Sequence, residues 1–376
     1  MKLIAFVLAF FGANYFGGSL FSQVTNTGLM DTTSGLKIGN VSLGVYMDVY
    51  YGFNFNQPNS GENNYFVSAN QHNSFQVNLA YLDLKFTDKR VRARFTPAFG
   101  TYMNANYAQE KGALKFILEG NIGVKLFKKH DIWLDAGVLG SPYTNESAIS
   151  KDHLMYSRSF SAENVPYYLS GLKLAVPIKE KITFYAYLLN GWQQIYDQNK
   201  QKSLGTQLEI RPNKSNLFNW DTYIGNEQSS FNPNYGMRYF SDLYWIFEKG
   251  KWKVTSCAYL GFQEYKTFFG AEDVKMWWQA NLIGRRQIND NWSISGRVEY
   301  FTDAQNAIIP VQIGNYLNNS FKCWSSGLSA AYKFSEKCLF RVEGRYFKAA
   351  NEAFEKSNGT RVSDEFQLFA NLSIWF

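Results

Sequence analysis

From residue 41 to residue 376 the sequence repeats one unit: a run in which apolar and polar residues alternate, followed by a connection. In the first run, Val41, Leu43, Val45, Met47, Val49, Tyr51, Phe53 and Phe55 share one parity. Ser42, Gly44, Tyr46, Asp48, Tyr50, Gly52 and Asn54 share the other. A period of two over that length specifies a β-strand with one apolar and one polar face. The last run does the same, with Phe366, Leu368, Ala370, Leu372, Ile374 and Phe376 on one side and Glu365, Gln367, Asn371, Ser373 and Trp375 on the other. Between them the pattern predicts strands near 74–86, 91–103, 113–126, 132–139, 167–176, 182–190, 203–211, 217–226, 237–247, 251–263, 276–286, 292–302, 321–334 and 338–348, about sixteen in all.

The connections select the architecture. Short turns such as Thr87-Asp88-Lys89-Arg90, Glu248-Lys249-Gly250 and Asn289-Asp290-Asn291 alternate with long connections near 57–73, 104–112, 140–166, 191–202, 227–236, 264–275, 303–320 and 349–363. An even number of antiparallel strands joined by tight turns at one end and long loops at the other describes an up-and-down transmembrane β-barrel, with periplasmic turns and extracellular loops. A soluble sandwich or propeller also alternates polarity, but it has no reason to alternate long and short connections, and the chain shows no blade-sized repeat. Strands of about 9–14 residues suit a tilted membrane crossing, whereas soluble strands average about 5–6.

Composition agrees. Only 18% of residues are charged and 18% are aromatic, yet mean hydropathy is −0.31. Asn, Gln, Ser, Thr and Tyr therefore supply the polarity, which disfavours a helical membrane protein, a coiled coil or a disordered chain. The net charge of +7 is spread along the chain, so nucleic-acid binding has little support. Cys257, Cys323 and Cys338 have neither disulfide-framework nor metal-ligand spacing, and no cofactor is expected. In a barrel the aromatic surplus belongs at the two membrane interfaces; candidates for these girdles are Trp220, Tyr239, Trp252, Trp278, Trp292, Tyr300, Phe334 and Phe376.

At the N-terminus, Lys2 precedes an apolar run from Leu3 to Phe11, then the small residues Gly12, Ala13, Gly17, Gly18 and Ser19, then Leu20-Phe21-Ser22-Gln23. That is the layout of a secretory signal peptide, too short to span a bilayer. The expected division is a signal peptide at 1–22, a periplasmic segment at 23–40 and the barrel at 41–376.

If the apolar parity faces lipid, the other lines the lumen. It carries Arg92, Arg94, Lys115, Glu119, Asp135, Arg238, Asp242, Arg297, Glu299, Arg341, Glu343 and Arg345, which are the pore-lining candidates. A Lys or Arg facing lipid at the midplane would cost about 2–4 kcal/mol, so these groups belong inside. About sixteen strands enclose an interior too wide for side chains to fill, and an aqueous channel is expected. Arg92, Arg94, Arg341 and Arg345, with Arg297, form a basic wall in one reading; in the other, each pairs with carboxylates such as Glu299 and Glu343. The longest connection, 140–166, either folds inward to narrow the pore or lies outside as a mobile loop.

Several stretches together resemble the OmpL-like β-barrel porin family of Gram-negative outer membranes. They are Asp135-Ala136-Gly137-Val138, Ser141-Pro142-Tyr143-Thr144-Asn145-Glu146, Tyr156-Ser157-Arg158-Ser159, Pro166-Tyr167-Tyr168 with Gly171, Asn190-Gly191-Trp192-Gln193, the run Arg297 to Asp303, and Arg341-Val342-Glu343-Gly344-Arg345-Tyr346. The resemblance implies an outer-membrane porin passing small hydrophilic solutes or ions. Lipid and, during biogenesis, periplasmic chaperones and the barrel-assembly machinery would be its partners. Phe366, Leu368, Leu372, Ile374 and Phe376 would serve as the assembly signal, and a homotrimer is implied by analogy. Two other functions stay open: a non-conducting barrel acting as receptor, adhesin or secretion partner, and a barrel hydrolase. Against the hydrolase, His72, His130 and His153 lie far apart in connections, and no GxSxG, HExxH, Walker or GxGxxG pattern occurs.

Overall fold

A computed structural model describes residues 35–376 apart from 231, 267–269, 271, 310–311, 314–315 and 318–319. The expected signal peptide and most of the 23–40 segment lie outside the described residues. Sixteen strands form the wall: β1 (Val41–Asn54), β2 (Ser74–Thr87), β3 (Val91–Phe99), β4 (Ile117–Lys125), β5 (Trp133–Gly140), β6 (Tyr168–Lys179), β7 (Ile182–Leu189) and β8 (Ser203–Asn213), then β9 (Asn216–Asn226), β10 (Tyr235–Lys249), β11 (Trp252–Lys266), β12 (Glu272–Gln287), β13 (Trp292–Asp303), β14 (Phe321–Ser335), β15 (Cys338–Ala349) and β16 (Asp364–Trp375). Each pairs antiparallel with its neighbours in sequence. The ring closes where β16 pairs with β1, from Tyr46 opposite Trp375 to Asn54 opposite Gln367. The seam ends where Val45 N–H donates to Phe376 O at 2.8 Å. A three-residue strand, Leu36–Ile38, folds back on the start of β1.

A closed barrel leaves no strand edge, which is what a β-structure in hydrocarbon requires, since an unpaired backbone group there costs several kcal/mol. No described helix is long and apolar enough to cross a membrane; the chain crosses with strands. Side chains alternate as the pattern predicts. On β13, Ile294 and Val298 are exposed on the outer face, while Ser293, Ser295, Arg297 and Glu299 are buried on the inner one. Of the aromatic candidates, Trp252, Trp292, Phe334 and Phe376 lie at the short-turn end and Tyr239, Trp278 and Tyr300 at the long-loop end, all on the outer parity. Trp220 sits between the two belts, its indole N–H bonded to Ser241 Oγ.

Two strands are shorter than the periodicity predicts. β3 ends at Phe99 because a short helix α1 (Thr101–Asn106) follows Gly100. Gly100 has φ 134°, and a Cβ there would meet Asn78 O at 2.4 Å, so only glycine makes the turn. β4 begins at Ile117, after a 3-10 turn over Gly112–Phe116.

The aromatic surplus is not confined to the belts. Tyr143, Phe160, Tyr223, Phe240, Tyr259, Trp277, Phe301, Phe321 and Phe347 form a buried cluster inside the barrel. Girdles alone do not account for this composition: segments that fold inward need apolar partners on the inner wall.

Candidate functional site

The 27 residues between β5 and β6, 141–167, enter the barrel. β5 and β13 stand eight strands apart in a ring of sixteen, so they face each other across the lumen. The segment touches both sides. Near its start, Thr144 N–H donates to Asp242 Oδ2 at 2.7 Å, and Asn145 Nδ2 donates to Thr255 Oγ1 and Asn281 Oδ1 at 3.0 and 3.1 Å. Farther on, Tyr156 N–H and Ser157 N–H donate to Glu343 Oε2 at 2.6 and 3.1 Å, the Ser157 hydroxyl donates to the same carboxylate, and Phe160 N–H donates to Glu299 Oε2 at 2.7 Å.

The wall arginines complete a clasp. Arg297 donates to Ser157 O and Oγ, both at 2.7 Å, and lies 3.2 Å from Glu299 and from Glu343. Arg345 donates to Glu299 Oε1 at 2.5 Å and to Arg158 O at 2.8 Å. Arg341 donates to Ser150 O at 2.8 Å and to Met155 O at 3.1 Å. These five wall residues are all buried. The structure therefore places Arg297, Arg341 and Arg345 against the inward segment rather than open water, and at mid-depth the segment occupies space expected to be water. Charged groups taken from water hold only if paired and fully hydrogen-bonded, and here the main chain of residues 150–160 supplies much of that bonding.

A second cluster lines the lower part of the opposite wall. Arg92 forms a fork to Asp135 at 2.7 and 2.6 Å, with Lys173 at 3.3 Å from the same carboxylate. Arg94 bridges Asp83 at 2.8 Å and Glu119 at 2.7 Å, and Lys85 reaches Asp83 at 3.0 Å. Burial sorts the charges: the Arg92 and Arg94 side chains are 24% and 18% exposed, whereas Asp83 and Asp135 are 1% exposed. Arg92, Arg94 and Lys85 face the lumen, and Asp83, Asp135 and the buried Lys173 lie behind them.

The other sequence candidates separate. Arg238 packs over the rings of Trp192 and Trp277 and donates to Gln263, in the upper lumen. Asp242 anchors Thr144. Lys115 lies on the 3-10 turn at the long-loop end and not on a strand, because β4 starts two residues later than Lys115. Asp83 and Lys85 were missed as candidates although they lie on the inner parity; their roles depend on register with β3, which one strand's pattern cannot supply.

Within the inward segment, the Tyr156-Ser157-Arg158-Ser159 stretch is the contact element. Ser159 N–H donates to Glu146 at 2.7 Å, while Arg158 donates to the carbonyls of Ser147, Ala148 and Tyr156. His153 Nε2 accepts Ser147 N–H at 2.9 Å and lies 3.5 Å from Ser147 Oγ. The imidazole is buried, its Nδ1 has no hydrogen-bond partner among the described residues, and its acceptor lone pair is already used, so this Ser/His contact is not built as a nucleophile and base. Above, Val67 N–H donates to Glu163 Oε2 at 2.7 Å and Phe66 stacks on Phe160 at 5.5 Å, so the first long loop roofs the segment.

Burial pushes the Glu163 carboxyl up to about 7, and burial together with nearby Arg158, Arg341, Arg297 and Lys151 holds His153 well below its ordinary range. The two act in opposite directions. A carboxyl with a raised pKa favours the seated segment at low pH, and that contribution is lost as pH rises through about 7. A histidine kept neutral favours it above its ordinary pKa, and that contribution is lost as pH falls below it. Protease nicking of residues 141–167 in detergent-folded barrels is expected to increase as pH rises through neutrality, and Glu163→Gln is expected to remove that increase.

Comparison with known proteins follows the same geometry. A family model described as "Putative beta-barrel porin-2, OmpL-like" matches residues 40–376. The outer membrane channel DcaP of Acinetobacter baumannii superposes with a TM-score of 0.62 at 9% identity, over 91% of this chain and 99% of that one. An anion-selective porin from Comamonas acidovorans gives 0.57 at 8% identity, over 89% and 99%. OmpT of Vibrio cholerae in a trimer form gives 0.56 at 10% identity, over 89% and 99%. At such identities the likeness is one of fold. No curated protein matches the chain in sequence.

Proposed function

This chain belongs to the OmpL-like β-barrel porin family, and from that premise we propose that it is a non-enzymatic outer-membrane channel for passive diffusion of small hydrophilic solutes, with a weak preference for anions. The observation that carries this reading is the closed sixteen-stranded wall, apolar on its outer face and charged on its inner one. Purified protein in planar bilayers is expected to give discrete conductance steps; protein that never does so would sink the channel reading and favour a receptor. A homotrimer is the proposed assembly, by analogy with the Vibrio cholerae structure.

The anion preference rests on Arg92, Arg94 and Lys85, whose charges face the lumen in front of buried Asp83 and Asp135. Rings of charge set ion preference in a pore. Replacing Arg92 and Arg94 together by Gln is expected to move the reversal potential in a salt gradient toward cation preference. An unchanged potential would mean that permeating ions do not pass along this wall.

A further inference from the structure

Arg341 does not fit a simple ion-pair network. It is buried on β15 and donates to Ser150 O and Oγ at 2.8 Å, Met155 O at 3.1 Å, and Asn371 Oδ1 at 3.1 and 2.9 Å. Every acceptor is neutral, and among the described residues no carboxylate touches it. The nearest carboxylate along this chain of bonds is Asp48, reached through the Asn371 amide. Arg158 is buried in the same way, with only carbonyls as acceptors. Arg297 and Arg345, by contrast, each contact a glutamate.

A guanidinium fork matches a carboxylate or phosphate in two parallel bonds, and an anionic acceptor adds an ion-pair attraction that a neutral carbonyl lacks. Ser150 and Met155 are therefore weak occupants of a strong oxyanion site. They reach it only because the segment is folded down, and its base has a crease. Gly137 and Gly171 pair directly across β5 and β6, with φ of 129° and 153°. A Cβ on Gly137 would meet Gly120 O at 2.2 Å and one on Gly171 would meet Leu188 O at 2.1 Å, so this fold of the hairpin needs both glycines. On the far side the segment is held largely by hydrogen bonds to charged side chains, which an incoming solute and water can satisfy instead.

We propose that Arg341 is an oxyanion-docking group masked by the inward segment, and that residues 141–167 form a gate opened when a carboxylate- or phosphate-bearing solute replaces the Ser150 and Met155 carbonyls on Arg341. This rests on the channel reading above. The anion opens the gate only by binding Arg341 better when the segment is raised than when it is seated.

Planar-bilayer recording with sodium succinate and with inorganic phosphate as probes tests this. In the parent protein either anion is expected to raise the open fraction about tenfold, the shift that about 1.4 kcal/mol of differential binding supplies, while sucrose does not. Arg341→Gln is expected to abolish the response, and Arg341→Lys, which keeps a point charge without the fork, to retain part of it. Heat-modifiable migration on gels shows that both variants fold. A second arm uses Ser150→Cys with Ser373→Cys, whose hydroxyls lie 3.3 Å apart, in a background with Cys257, Cys323 and Cys338 changed to Ser. Oxidation is expected to silence the anion-induced openings and reductant to restore them. An undiminished response in Arg341→Gln, or in the oxidised double-cysteine protein, overturns the proposal. A barrel in which residues 144–164 are replaced by a short Gly-Ser turn is expected to conduct steadily without added anion; if it conducts nothing, the channel reading fails and the gate with it.

Discussion

Replacing Glu343 by Ala is expected to unseat the inward segment while leaving the barrel folded. Glu343 accepts Tyr156 N–H, Ser157 N–H and the Ser157 hydroxyl and lies 3.2 Å from Arg297, all in a buried setting. Its removal orphans two main-chain donors and leaves Arg297 and Arg345 facing Glu299 alone in the clasp. Breaking one side of a buried charge pair costs about 3–5 kcal/mol, so the seated population should fall by about a hundredfold or more. The measurement is limited proteolysis of the folded barrel. Residues 141–167 should become cleavable while the band keeps its heat-modifiable migration, and single-channel steps should become larger. A segment as protected as in the parent would show that the apolar contacts of Tyr143 and Phe160, and not the charges, hold it.

The second large effect is expected on the outside. Val298 is half exposed in the middle of β13, on the lipid-facing parity and next in sequence to Arg297. Val298→Arg is expected to destabilise the barrel in vesicles by about 2–4 kcal/mol, read as a lower midpoint in urea unfolding. Arg297 carries the same charge one residue away and is tolerated because it points into the clasp. Equal stability of Val298→Arg and the parent would mean that this face does not meet hydrocarbon at that depth and is covered by protein instead.

Strand number, order and facing were legible because period-two polarity is a local property: each residue's side follows from its parity. The boundaries that failed, after Phe99 and before Ile117, are places where alternation continues into residues that form a helix or a 3-10 turn. Parity also grouped Arg297, Glu299, Arg341, Glu343 and Arg345 on the inner face without saying whether they meet water. It is equally silent on the fact that cations cover acids on the opposite wall, since Arg92 meets Asp135 only through the intervening β4.

The sequence by itself determined a closed, sixteen-stranded, membrane-crossing wall with charge inside and long loops at one end, because the solvent on each face dictates residue type position by position. Only the tertiary structure decided what fills that wall. The same composition of residues 141–167 suits an external loop or an internal one; the choice depends on contacts more than a hundred residues apart in sequence, such as Ser157 with Glu343 and Phe160 with Glu299. The aromatic residues divide in the same way. Parity places Trp278 on the lipid face and Trp277 inside, but only the folded inward segment and the loops above it turn the inner aromatics into a core.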